Sequence, residues 1–160
     1  MKHGIYIERD GEWQATTDMP VMHIAKSERV KTLAPIKGVC RDGRHIDIAP
    51  NYESDGGSKP RITQLIFGHP YNRYLGAYLL HDKQRDDAEA RYILGLTTRR
   101  ELRREMLQSD CDFKDFQRWI KQQLNKRGIL RKAEIRTKTL AVRANSRWRA
   151  FKARWWRRQD

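Results

Sequence analysis

The residues whose types and spacing suit chemistry gather between Pro50 and Asp87. His81 and Asp82 close an apolar run with helical spacing, and Asp86 follows Asp82 by one helical turn. Residues four apart share a helix face, so Asp82 and Asp86 could hold a divalent cation between them. His81 could serve as a general base if an acidic neighbour orients it. Adjacent helical residues point about 100° apart, so His81 and Asp82 do not form one bidentate site. The partner of His81 is therefore expected to arrive by tertiary folding, and Asp55 is the candidate. The plainer reading of the same residues is a hydrogen-bonded core histidine with Asp82, Asp86 and Asp87 in solvent.

The turn Asp55-Gly56-Gly57-Ser58 also has two readings. Paired glycines let backbone amides converge on an anion, or let the chain pass close to another element. Ser58 is a candidate nucleophile by type, yet no Gly-x-Ser-x-Gly elbow surrounds it. An Asp turn followed by a helix-capping serine explains the turn without catalysis. His3, His23, His45 and His69 have no ligand spacing, and the chain holds no HExxH, Walker loop or dinucleotide fingerprint.

The elements that must position these residues follow from the pattern along the chain. GIYIER over residues 4–9 alternates like a strand, Asp10-Gly11 supplies a hairpin turn, and residues 12–17 form the return strand. Residues 20–28 are ambiguous. A second pairing is expected from residues 30–33, 36–41 and 45–48, with a turn at Asp42-Gly43 and an end at Pro50. Ser58 and Pro60 open a short helix. A longer helix spans residues 74–94 and is broken at Gly95. Thr97 or Thr98 then caps a helix to Gln108, and Asp112 starts another, with Phe113, Phe116, Ile120 and Leu124 as its apolar stripe and Gly128 as its C-cap. The fold class is thus α+β: a small N-terminal antiparallel sheet, a helical region and a long basic C-terminal helix. One domain is expected over residues 1–128, with a basic, aromatic-striped helix or tail over residues 129–160.

The charge of that tail is the other strong signal. The 160 residues carry 34 Lys and Arg against 20 Asp and Glu, a net charge of +14, with 38% hydrophobic residues. Mean hydropathy is −0.91, so the core is modest. Beyond Leu130, Leu140, Ala144, Trp148, Phe151 and Trp155 recur at steps of four, four, three and four, one face of a helix. Arg143, Arg147, Arg149, Lys152, Arg154, Arg157 and Arg158 occupy the other faces. Such a segment suits an acidic partner, either nucleic acid or a protein surface: arginines pair with phosphates while aromatics stack on bases or fill a groove. The alternative is a C-terminal helix with its aromatics in the core and its arginines in solvent.

Cys40 and Cys111 lie far apart and outside any CxxC spacing, which argues against a zinc finger or a disulfide scaffold and fits a reducing cytoplasm. The opening residues meet charge before any apolar core could form, so no signal peptide is expected. No run approaches the roughly 18 apolar residues a membrane span needs.

With these residues in view, the central stretch resembles the phage and prophage family called domain of unknown function 1353. The resemblance rests on Pro50, Tyr52, Ser54, Asp55, Gly56, Ser58, Pro60, Arg61, His81 and Asp82, in that order and spacing, and covers about residues 45–83. The segment AVRANSRW is similar to a Val-Arg…Trp ending in the family. The family continues His-Asp with an apolar residue and Leu-Tyr, whereas this chain has Lys83-Gln84-Arg85. The resemblance implies a phage context: synthesis in the host cytoplasm and a place in the virion or on nucleic acid. A helical His-Asp after a Gly-rich loop is also similar to the catalytic helix of phospholipase A2-like enzymes, where the His is the base and the Asp holds calcium. Two functions are therefore expected to compete. One is a non-catalytic basic protein docking on nucleic acid or a virion protein through its C-terminal helix. The other is a small metal-assisted hydrolase centred on His81, with Asp55, Asp82 or Asp86 as ligands of a divalent cation.

Overall fold

The structure, a computed structural model, describes residues 3–24, 29–55 and 73–128. Ser58, the short helix expected to start there, and the basic segment 129–160 lie outside the described residues. The chain forms two compact units, Met1–Lys121 and Gln122–Asp160. The described part of the first is α+β, with antiparallel sheets followed by two helices.

Asp10 and Gly11 both take positive φ, 53° and 78°, the conformation a two-residue hairpin turn requires. They join β1 (Gly4–Arg9) to β2 (Glu12–Ala15), with Arg9 opposite Glu12. A second hairpin joins β5 (Ile36–Val39) to β6 (His45–Ile48), and Lys37 faces Asp47 across it. β5 also pairs with β1, giving a four-stranded sheet in the order β2-β1-β5-β6.

The expected pairing of residues 30–33 with this sheet does not occur. β4 (Arg29–Thr32) instead lies between β3 (Val21–Ile24) and β7 (Glu53–Ser54) in a second, three-stranded sheet. Both edges of β5 are already taken, by β1 and β6, so β4 has no place beside it. Pro35 at the junction also lacks an N–H to continue a ladder.

α1 (Leu75–Ile93) and α2 (Arg99–Lys126) form an antiparallel hairpin. The contacts step in opposite directions along the two helices: Arg91 meets Glu105, His81 meets Asp110, and Tyr78 meets Phe113. The connection is built from two local devices. At the end of α1, Gly95 adopts φ 70°, and the Gly95 and Leu96 N–H groups bond to the carbonyls of Tyr92 and Arg91. Thr98 then caps α2 reciprocally with Glu101: the Thr98 N–H donates to the Glu101 carboxylate at 2.7 Å, and the Glu101 N–H to the Thr98 hydroxyl at 3.3 Å.

The sequence suggests a break between Gln108 and Asp112, yet α2 runs unbroken for 28 residues. Ser109 and Asp112 are good capping types, but here their side chains bond to other elements, so they do not compete for their own backbone. The expected Gly128 cap is present: Gly128 has φ 68° and its N–H reaches the Asn125 carbonyl.

The core joins Ile5, Ile7, Ile36 and Ile48 to Leu79, Leu80, Phe116 and Ile120, all almost wholly buried. Helix and sheet approach closely because of glycine. A Cβ on Gly38 would lie 2.7 Å from Leu80 Cδ1, and one on Gly4 would lie 2.7 Å from the Trp119 ring. Gly38→Ala is expected to destabilise the fold by about 1–3 kcal/mol through overpacking, because Leu80 is enclosed and cannot swing away. A urea midpoint matching wild type would show that the packing relaxes. Among the described residues, no helix is long and apolar enough to cross a membrane.

Candidate functional site

The side chains around His81 are placed from the sheet side by Thr32. Thr32 is fully buried; its hydroxyl donates to the Ala49 carbonyl at 2.8 Å and accepts from the Tyr52 N–H at 3.0 Å. Its backbone N–H bonds to Tyr52 O and its carbonyl accepts from Asn51 N–H, so the turn before β7 is fixed at four points. From this turn the Tyr52 hydroxyl donates to Asp86 Oδ2 at 2.5 Å, and the Ser54 hydroxyl donates to Asp82 Oδ2. Asp82 and Asp86 thus share a helix face, as their spacing predicts, and that face meets β7 and the turn before it. Burial, and then the Asp86 carboxylate, push the Tyr52 phenol up.

His81 does not meet Asp55. Its Nδ1 lies 3.3 Å from Asp82 Oδ1 and its Nε2 3.1 Å from Asp110 Oδ1. Helical side chains lean toward the N-terminal end of their helix, which lets these neighbours touch through one nitrogen and one oxygen although they do not form a bidentate site. α2 supplies the second carboxylate, and also Ser109, whose hydroxyl donates to the His81 carbonyl at 3.3 Å. The Phe113 ring covers the imidazole at 5.1 Å. Asp55 instead lines a cleft of about 330 Å³ with Glu53, Asp82, Asp86, Glu89 and Arg85. Among the described residues, no three His, Cys, Asp or Glu side chains are grouped to hold a metal ion.

The order of this chain of contacts decides what it can do. In a serine-nucleophile triad the imidazole stands between serine and carboxylate. Here Asp82 stands between Ser54 and His81, so the Ser54 proton faces a carboxylate, not the imidazole. The hydrogen bond to the Asp82 carboxylate raises the pKa of His81 above 6.5, burial opposes this, and the bond to Asp110 adds to the rise. A carboxylate lies within reach of each ring nitrogen, so both nitrogens are engaged within the protein, and the protonated form is favoured relative to a free imidazole.

His81 consequently links stability to pH. Its folded pKa exceeds its unfolded value, so its contribution is fully present below about pH 6.5 and is lost as pH rises through the folded pKa. Urea midpoints are expected to fall over that window in wild type and to fall less in His81→Gln. Equal slopes for the two proteins would remove His81 as the cause.

No protein-family model, curated protein or solved structure matches this chain. Of the positions that carry the resemblance to domain of unknown function 1353, Ser54 and Asp82 meet directly, while Ser58, Pro60 and Arg61 lie outside the described residues.

A second polar cluster, not anticipated from the sequence, centres on Asp112. Its side chain is 6% exposed. Arg44 Nη2 donates to it at 2.9 Å, Gln84 Nε2 at 2.8 Å and Gln108 Nε2 at 3.1 Å. Arg44 comes from the turn between β5 and β6 and is itself aligned by Asp42 at 2.7 Å. The cluster therefore ties both helices to the sheet. Beside it lies a cavity of about 380 Å³, lined among others by Arg44, Arg91, Arg104 and Gln84. A signal for Asp112 was present: Ser109, Asp112, Phe116 and Ile120 recur at steps of three, four and four, which places two polar residues on the apolar stripe.

Cys40 Sγ lies 3.6 Å from Asp112 Oδ2. Burial, with the nearby Asp112 charge, pushes this thiol up to about 12. Cys40 is buried and Cys111 exposed. An alkylating reagent at neutral pH is expected to modify Cys111 in the native protein and Cys40 only after denaturation, because the thiolate is the nucleophile. Peptide mass analysis reads this directly, and rapid native labelling of Cys40 would contradict the packing around Asp112.

Proposed function

We propose that this is a phage-encoded, non-catalytic basic protein that docks on nucleic acid through residues 129–160. The observation that carries the reading is the segregation of charge. Residues 129–160 hold eleven Lys and Arg against Glu134 and Asp160, with Trp148, Phe151 and Trp155 spaced among the cations. Arginine pairs with phosphate and aromatic rings accept stacked bases, a combination suited to single strands as well as duplex. The α+β body supports the reading from the other side, because both His81 nitrogens and the Ser54 hydroxyl are engaged in contacts that hold elements together. The phage assignment rests on the resemblance of residues 45–83.

A titration of the full chain against duplex and single-stranded nucleic acid over a range of salt tests the proposal. Affinity is expected to fall by about 10³-fold or more between about 50 and 200 mM salt if six or more phosphates are neutralised. An absence of binding at low salt would overturn the nucleic-acid reading and favour an acidic virion protein. The hydrolase reading has weaker support, since it needs His81 as a free base and a divalent cation at Asp82 or Asp86. Cation titration followed by thermal stability tests it, with a shift abolished by Asp82→Asn as the supporting result.

A further inference from the structure

The tip of the helical hairpin carries an apolar surface that the proposal above leaves unused. Ile93, Leu94 and Leu96 are 81%, 72% and 70% exposed, and Tyr92 beside them is 42% exposed. Isolated exposed leucines are ordinary on a protein surface, but several large apolar residues together mark an interaction site. The turn that displays them is well ordered by its own bonds. Gly95 closes α1 and the Thr98–Glu101 pair opens α2, so the apolar side chains are presented without a further ordering cost.

Charge and shape together identify the partner. Arg99, Arg100, Arg103 and Arg104 are exposed on the first turns of α2, directly behind the tip. The neighbouring acids are engaged: Glu101 with Thr98, and Glu105 with Arg91 at 2.6 Å. A cationic collar behind an apolar tip matches an anionic lipid surface, with aliphatic groups entering the acyl boundary and arginines at the headgroups. Tyr92 has the amphipathic side chain suited to that boundary. Shape favours lipid over a protein groove. A projecting turn of exposed aliphatic side chains offers no flat face for a groove to match, and a fluid phase receives it without a complementary pocket.

We infer that the α1–α2 tip is a peripheral membrane-docking site, with Ile93, Leu94 and Leu96 entering the interface of an anionic bilayer. This inference is independent of the nucleic-acid reading and survives its failure. The test is co-sedimentation of the full chain with vesicles of phosphatidylcholine alone and of phosphatidylcholine mixed with phosphatidylglycerol. Wild type is expected to bind the mixed vesicles, and Ile93→Ser/Leu94→Ser to bind about a hundredfold more weakly, roughly tenfold for each buried aliphatic side chain. Arg99→Gln and Arg100→Gln are each expected to lose about fivefold. Residues 129–160 are present in every variant, so their attraction to anionic lipid cancels in the comparison. Circular dichroism confirms that these surface variants fold. Equal binding by the double serine variant would overturn the inference, as would absence of wild-type binding to either vesicle. Self-association of wild type that the double variant abolishes, without vesicle binding, would assign the tip to a second copy of the chain instead.

Discussion

Asp112→Ala is expected to lower folding stability by about 3 kcal/mol, the lower end of the range for breaking a buried ion pair. The carboxylate accepts from Arg44, Gln84 and Gln108, and the Cys40 thiol lies against it. Its removal leaves these donors facing a space that alanine does not fill. Arg44 is 47% exposed and can turn to water, which moderates the loss. The Gln84 amide is less free, since its Oε1 is already buried without a partner among the described residues. Asp112→Asn keeps the volume but replaces one acceptor by a donor that faces other donors, so an intermediate loss is expected. Urea unfolding at constant pH measures both. A midpoint for Asp112→Ala within error of wild type would mean that the cluster does not tie the helices to the sheet. The Cys40 labelling experiment offers an independent reading, because loosening around Asp112 should expose that thiol.

Replacing Arg147, Arg149, Arg154 and Arg157 by glutamine is expected to remove most of the salt dependence of nucleic-acid binding. Each phosphate contact contributes about 0.9 to the slope of log affinity against log salt on duplex DNA, so four contacts contribute about 3.6. Over a fourfold rise in salt this amounts to about a hundredfold in affinity. The aromatic residues separate two modes of binding. Trp148→Ala and Trp155→Ala should each weaken single-strand binding by about 1–3 kcal/mol if they stack on bases, and should leave duplex binding little changed. A quadruple variant with the wild-type salt slope would place the phosphate contacts elsewhere, and the arginines of α2 would then be the next candidates. Circular dichroism and urea unfolding of each variant separate a loss of binding from a loss of fold.

The His81 cluster and the Asp112 cluster are related in construction. Each is a helix side chain met by groups from elements distant in sequence, and each leaves few groups free for chemistry. Their common consequence is mechanical: β7, the β5–β6 turn, α1 and α2 are held in register by carboxylates. That arrangement suits a rigid scaffold.

Local signals determined much of this protein from its sequence. Asp10-Gly11 specified a hairpin because its two residues tolerate positive φ, Gly95 specified the end of one helix, Thr97 or Thr98 marked the start of the next, and Gly128 closed α2. The one-turn spacing of Asp82 and Asp86 correctly put them on one face. The α+β class followed from these elements, and the basic character of residues 129–160 needed composition alone. What the sequence could not determine was pairing at a distance. The partner of β4 was set by which strand edges β1 and β6 had already filled. Asp110 became the partner of His81 in place of Asp55 because the helices pack antiparallel. Ser109 and Asp112 resembled a helix boundary and proved to be interior residues. Capping and tertiary hydrogen bonding make the same demand on a short polar side chain, and only the fold decides which backbone or side chain lies within reach.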